Sequence, residues 1–150
     1  MARFLDHLDL RLHGAGRWIT LAPLRYESDA AGQTITVPAD FVTDLASTPR
    51  FLPISYALAG GRAPGPAVVH DWLYVHDDWE DRALADAIFH EAMGVDQPDL
   101  GFEAEPAVIR SLMWSGVRAV GWWPWQRHKQ RQAELNPVWT ASAWPEVQAA

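Results

Sequence analysis

The segment Val69–Tyr74 constrains the fold more than any other part of this chain. It reads Val-His-Asp-Trp-Leu-Tyr and follows a stretch rich in glycine and proline, so it is expected to lie in an otherwise apolar helix. Burying a histidine and an aspartate in such a helix is costly unless each is paired or ligated. His70 and Asp71 are therefore predicted to belong to a site, and other parts of the chain must supply their partners.

The N-terminal part of the chain shows the two-residue period of β-strands. Residues 7–12 alternate leucines with polar residues, which is typical of a strand with one buried face. A second strand region at residues 18–26 is broken at Pro23, and residues 33–37 are predicted to form a third strand. These strands are expected to pair as a small antiparallel sheet with one face in water.

Three later segments show helical periodicity. The first, residues 66–76, begins at a proline, which is tolerated at the first helical position. The second, residues 79–93, follows the candidate N-cap Asp78 and precedes Gly94, and the third covers about residues 106–120. The predicted fold class is therefore α+β, with a small N-terminal antiparallel sheet, a long motif-bearing loop and then three main helices.

The 150 residues are expected to form a single domain, because a chain of this length can bury a sizeable core. Six of the nine tryptophans lie from Trp114 onward. Within the predicted domain we distinguish four parts: a β-rich part at 1–42, a loop at 43–65, a helical part at 66–121 and a tryptophan-rich tail at 122–150.

Composition excludes several kinds of function. A net charge of -7 and a pI near 5.2 argue against nucleic acid as a partner, because generic binding to nucleic acid needs a basic surface. The absence of cysteine excludes disulfides, thiolate metal sites and a cysteine nucleophile. No apolar run approaches the roughly 20 residues that cross a membrane, and the N-terminus lacks the apolar core of a signal peptide, so cytoplasmic synthesis is expected.

The candidate catalytic residues lie at helical spacings. His70 and Tyr74 are four residues apart and share one helix face, whereas Asp71 is offset by about 100°. Asp86 lies at the edge of the apolar face of the next helix, where it can turn toward His70. A histidine that activates water needs an acceptor that fixes its tautomer, so His70, Tyr74 and Asp86 are predicted to be catalytic. The carboxylates of Asp44 and Asp86 are expected within about 8 Å of a solvent-accessible His70 ring.

The loop after the strands adds three polar candidates. Asp44 and Asp71 would together offer hard oxygen ligands to calcium or magnesium. His70 with Asp71 and a third acid would instead suit zinc or another transition metal. Ser47 and Arg50 complete the predicted site. A divalent metal is thus one expected cofactor, and water activated by histidine without a metal is the alternative.

Four groups of residues occur in an order and spacing that resemble a known family: Val37-Pro38 with Phe41, the run 43–50 (Thr-Asp-Leu-Ala-Ser-Thr-Pro-Arg), His70-Asp71-Trp72-Leu73-Tyr74, and Ala85-Asp86 with Phe89 and Met93. Over roughly residues 18 to 121 the chain resembles uncharacterised proteins encoded widely in tailed phages, prophages and related elements. The resemblance implies a phage-type protein made in the bacterial host, with virion or tail association as one alternative. It implies no established activity.

A second, local resemblance concerns the two central helices. His70, Asp71 and Tyr74 on one helix, with Asp86 on the next, are similar to the catalytic helices of phospholipase A2. The resemblance implies that His70 is the base, that Asp71 binds calcium, and that Tyr74 and Asp86 orient the imidazole. The chain departs from that family because it has no cysteine, and Gly60–Gly65 echoes the glycine-rich calcium loop only loosely.

Two functions follow from these observations. The first is a phage- or prophage-type hydrolase that acts on an ester, a phosphoester or a cell-wall bond. The alternative is a non-catalytic virion or assembly component in which Arg50 is the counterion of the buried acids and the polar cluster only joins the elements. The tail at 122–150 is expected to pack on the core, to dock other phage structural proteins, or to contact a membrane surface.

Overall fold

The computed structural model describes residues 1–14, 17–43, 45, 63–75, 82–97, 103–120, 134 and 136. These residues form an α+β fold, which confirms the predicted fold class, because short antiparallel strands occupy the N-terminal half and three helices follow them. Within the described part of the chain, no helix is both long enough and apolar enough to cross a bilayer.

The described strands form two three-stranded antiparallel sheets rather than the single sheet predicted. One sheet has the order β1-β4-β5 and the other β2-β3-β6. Residues 7–12 are not one strand, because only their second half is extended and a separate strand precedes them. The strands are β1 (Arg3–Phe4), β2 (Leu10–Leu12), β3 (Trp18–Thr20), β4 (Leu24–Ser28), β5 (Gln33–Val37) and β6 (Val42–Thr43).

The hairpin of β4 and β5 follows the alternation in its sequence. Leu24 pairs with Val37 and Tyr26 pairs with Ile35, and all four side chains are buried on one face. Cross-strand pairs of this kind are the main source of stability within a sheet. The predicted break at Pro23 is confirmed, since β3 ends before this residue and β4 begins directly after it.

The three helices lie close to their predicted positions. The short helical turn expected near residues 54–58 and the candidate N-cap Asp78 lie outside the described residues. Gly94 follows the second helix as predicted, and its N–H donates to the carbonyl of Glu91 at 2.9 Å. The helices are α1 (Pro64–Val75), α2 (Arg82–Ala92) and α3 (Ala107–Val120).

The core lies where α1 packs against the first sheet and against α2. The aromatic ring of Phe41 meets Trp72 edge to face, with 5.3 Å between ring centroids. A second apolar cluster joins α2 and the residue that follows it to α3; it consists of Phe89, Met93, Met113 and Val117. Because α1 lies against both the sheet and α2, any polar side chain on its inner face must find its partners inside the protein.

One carboxylate fixes α2 to the β4–β5 hairpin. Oε1 of Glu91 accepts hydrogen bonds from the hydroxyls of Tyr26 and Ser28, and Oε2 accepts from the backbone N–H of Ala30, each at 2.8 Å. Burial, together with the hydrogen bond and charge of Glu91, raises the pKa of the Tyr26 hydroxyl. The helix that carries Asp86 is therefore held in a defined position on the sheet.

A residue of the predicted tail docks on the second sheet. The side chain of Asn136 accepts a hydrogen bond from the backbone N–H of Val42 at 2.6 Å and donates one to the carbonyl of Val42 at 2.9 Å. This pair of bonds reproduces the exchange that a neighbouring strand would make with β6.

Replacing Asn136 with alanine is expected to lower the free energy of unfolding by about 1–3 kcal/mol, because two buried backbone groups of Val42 would lose their partner. Urea denaturation measures this change, and Glu134→Ala is the matched control because Glu134 is exposed. Equal stability of the two variants would show that the tail does not support β6.

Candidate functional site

The predicted site is centred on a buried imidazole. His70 lies on the inner face of α1 and has no exposed surface. Its ring contacts Tyr74 and Phe89, with 4.1 and 4.7 Å between ring centroids. The shared helix face predicted for His70 and Tyr74 is confirmed, and Phe89 is an apolar neighbour contributed by α2.

Asp86 supplies the acceptor that the sequence predicted. Its Oδ1 lies 3.1 Å from Nε2 of His70 and accepts a hydrogen bond from the Tyr74 hydroxyl at 2.8 Å. Its Oδ2 lies 3.3 Å from Nη1 of Arg118 and 3.6 Å from Nε of Arg82. This fully buried carboxylate thus joins residues of α1, α2 and α3.

The surroundings of Asp86 keep it ionised. Burial is the largest single influence and by itself would raise the pKa of Asp86. The hydrogen bond from His70, the positive charge that this ring carries when it is protonated, and the hydrogen bonds from Tyr74 and Arg118 act in the opposite direction and together bring the pKa below its ordinary value of 3.8. In contrast, burial and the nearby charge of Asp86 raise the pKa of the Tyr74 hydroxyl, so that hydroxyl stays protonated as a donor.

The ionised carboxylate determines which ring nitrogen of neutral His70 carries the proton. A carboxylate only accepts hydrogen bonds, so the nitrogen that faces it, Nε2, must be the donor. Nδ1 is then the nitrogen with the free lone pair. Among the described residues Nδ1 is buried and has no hydrogen-bond partner.

Asp71 points away from the cluster of His70, Tyr74 and Asp86, as its offset of about 100° around the helix predicted. Its Oδ2 accepts a short hydrogen bond from the hydroxyl of Thr43, which also accepts one from the N–H of Leu45. Leu45 has a positive φ of 53°, a backbone conformation that residues other than glycine rarely adopt. Asp71 therefore ties α1 to the end of β6, where the loop begins.

The remaining candidates of the loop lie outside the described residues. Asp44, Ser47 and Arg50 are among them, so their predicted roles stay predictions. Asp71 has no exposed surface, and no three histidine or acidic side chains of the described ranges are grouped as a metal site. A metal held by Asp44 and Asp71 stays a prediction, because Asp44 lies outside the described residues.

Two arginines at the site were not predicted. The sequence interpretation offered Arg50 as the counterion, whereas Arg82 and Arg118 lie beside Asp86. Arg82 precedes Asp86 by four residues on the same helix, a spacing that could have been recognised. Nothing in the sequence pairs Arg118 with Asp86, since they are 32 residues apart and meet only because α2 packs on α3.

The expectation that solvent reaches the imidazole is wrong for this conformation, because the side chains of His70 and Asp86 are both 0% exposed. The aromatic neighbours on both helices leave the ring inside the core. A small cavity does lie at the start of α1, but its lining includes none of the predicted site residues; it is lined by Ala63, Pro66, Ala92, Met93, Val95, Gln97, Glu103 and Glu105.

These observations define an α+β protein with a buried cluster of histidine, aspartate, tyrosine and arginine joining three helices. The chain belongs to the family described as "Protein of unknown function (DUF1353)", whose family model matches residues 18–117. The match covers the strands from β3 onward, both central helices and most of α3. No curated protein and no solved structure was found to match the chain.

The lowered pKa of Asp86 predicts a pH dependence of stability. A carboxyl whose pKa is lower in the folded protein stabilises it at pH values above the unfolded pKa and loses that effect as pH falls through the folded value. The difference in melting temperature between the wild type and Asp86→Asn is expected to be largest near neutral pH and to shrink below about pH 4. Thermal melts between about pH 2.5 and about pH 7.5, a range that includes the ordinary pKa of an aspartate, measure this difference. A difference independent of pH would contradict the prediction.

Proposed function

We propose that this protein is a hydrolase of phage or prophage type in which His70 activates water. The observation that carries the proposal is the arrangement of the two ring nitrogens: Nε2 faces the carboxylate of Asp86, and buried Nδ1 has no partner among the described residues. Leaving a buried polar atom unpaired costs about 1–3 kcal/mol, and a catalytic role is one of the few reasons for a protein to keep one.

In the proposed reaction, a water oxygen attacks the carbonyl carbon of an ester or the phosphorus of a phosphoester. The water proton passes to Nδ1 of His70 as the new bond to oxygen forms. The bond to the leaving oxygen then breaks, that oxygen keeps the electron pair, and it takes the proton back from Nδ1. The carboxylate of Asp86 stabilises the transient imidazolium, and Tyr74 and Arg118 hold that carboxylate ionised and in place.

A cell-wall bond is the third substrate class that this chemistry would serve. A divalent metal bound through Asp44 and Asp71 belongs to the proposal only as a separate prediction, since no step above requires it. Metal analysis of the purified protein by mass spectrometry tests that prediction directly.

The second candidate function is a non-catalytic virion or assembly component, with the tail at 122–150 docking other phage structural proteins. The complete burial of His70, Asp71 and Asp86 favours it, because substrate has no direct access to the ring in this conformation. In this alternative the cluster only joins α1, α2 and α3.

Turnover by the wild type and by His70→Gln distinguishes the two functions. Glutamine can place its amide nitrogen near the position of Nε2 and keep a donor for Asp86, but it offers no base at Nδ1. The hydrolase proposal predicts that this variant stays folded and loses about 10²–10⁴-fold in turnover. The assay uses nitrophenyl esters, nitrophenyl phosphates and purified peptidoglycan.

His90→Gln is the matched control, because His90 lies on α2, faces Trp114 and is outside the cluster. It is expected to leave turnover unchanged. Wild-type protein inactive on all three substrate classes, or His70→Gln as active as the control, would overturn the hydrolase proposal.

The proposed reaction also requires that the His70 ring become accessible in solution. Diethyl pyrocarbonate modifies accessible imidazole nitrogens, and mass spectrometry locates the adducts. We expect His70 to react measurably in the folded protein but more slowly than His7, which lies on the N-terminal segment rather than in the core. Protection of His70 for as long as the protein remains folded would favour the non-catalytic alternative.

A further inference from the structure

Arg82 and Arg118 have binding capacity that their contacts inside the protein do not use. Arg118 donates to Asp86 through Nη1, and Arg82 donates through Nη2 to the backbone carbonyl of Arg118 at 2.9 Å. Each guanidinium carries five N–H donors, so most of them have no acceptor in the contacts within the described residues. The two side chains come from different helices and meet at one oxygen of one carboxylate.

The contacts that these arginines make with Asp86 are loose. They measure 3.3 and 3.6 Å, whereas a charge-assisted hydrogen bond is about 2.7–2.9 Å long. The chain also contains a tight pair for comparison, since Arg25 grips both oxygens of Asp6 at 2.7 and 2.8 Å. The two arginines beside Asp86 are therefore not arranged to maximise their ion pairs with it.

Both arginine side chains are partly exposed, in contrast to the acid they contact. The side chain of Arg118 is 38% exposed and that of Arg82 is 18% exposed, whereas Asp86 has no exposed surface. The buried carboxylate therefore contacts the pair through Nε of Arg82 and Nη1 of Arg118. This cationic pair stands out on a chain with a net charge of -7, which should repel anions in general.

From this geometry we infer that Arg82 and Arg118 form a binding site for a phosphate group. Two guanidinium forks present several donors to the oxygens of one tetrahedral anion, which is the arrangement that arginine provides better than lysine. The inference rests on the guanidinium contacts alone and holds whether or not His70 is catalytic. The phosphate group can belong to free phosphate, a phosphate monoester or a phosphodiester.

Binding would be coupled to the buried cluster. A phosphate that draws Arg118 outward weakens its contact with Oδ2 of Asp86, the carboxylate whose other oxygen faces His70. Because coupling between two sites is reciprocal, a change at Asp86 should alter phosphate affinity as well.

The test is a titration of the full-length protein followed by NMR of the arginine side-chain Nε–H groups. The probes are inorganic phosphate, glycerol 3-phosphate and dimethyl phosphate, each against sodium chloride at equal ionic strength. We expect saturable shifts of the Arg82 and Arg118 signals with phosphate and not with chloride. Comparison of the three probes shows which type of phosphate group the site prefers.

Arg82→Gln and Arg118→Gln are each expected to weaken phosphate binding at least about tenfold. Arg3→Gln is the matched control, because Arg3 is exposed and paired with Glu27, and it should bind phosphate as the wild type does. Should a glutamine variant fail to fold, the wild-type shifts decide alone. Absence of saturable shifts at both arginines with all three probes, or equal binding by all variants, would overturn the inference.

Discussion

The fold of the helical part depends on one buried carboxylate. An isolated aspartate in an apolar interior would be strongly disfavoured, yet Asp86 is buried and ionised because three helices bring donors to it. Tyr74 and His70 approach one oxygen, and Arg82 and Arg118 approach the other. Removing one donor leaves the charge in place with less compensation, so the donors are expected to act as a unit rather than additively.

The same carboxylate connects structure to chemistry. It assigns the proton of neutral His70 to Nε2 and leaves the lone pair at Nδ1, which is the state that a general base requires. Because the ring is buried, the two proposed functions differ in what they require of it: the hydrolase needs a base that works when the ring becomes accessible, and the assembly component needs only a polar junction that never reacts. Membership of a family of unknown function does not choose between them, so the support for a function comes from the site itself.

The sequence predicted those parts of the fold and site that depend on local periodicity. The helical spacing predicted that His70 and Tyr74 share one face and that Asp86 turns toward them, because residues three and four apart lie on the same face of a helix. The division into two sheets and the contact of Arg118 with Asp86 were missed, because both depend on how distant segments pack. The docking of Asn136 on β6 was foreseen only as a general role of the tail, since nothing local marks that residue.

The tautomer of His70 tests the central claim most directly. With histidine labelled by ¹⁵N, NMR near neutral pH distinguishes a protonated ring nitrogen from an unprotonated one at each position. Our account predicts that, in the neutral form of His70, the proton is on Nε2 and Nδ1 is unprotonated, and that Asp86→Asn disturbs this preference. A His70 ring protonated at Nδ1 and unprotonated at Nε2 in the wild type would contradict the account, because it would leave the Asp86 carboxylate facing a nitrogen that cannot donate.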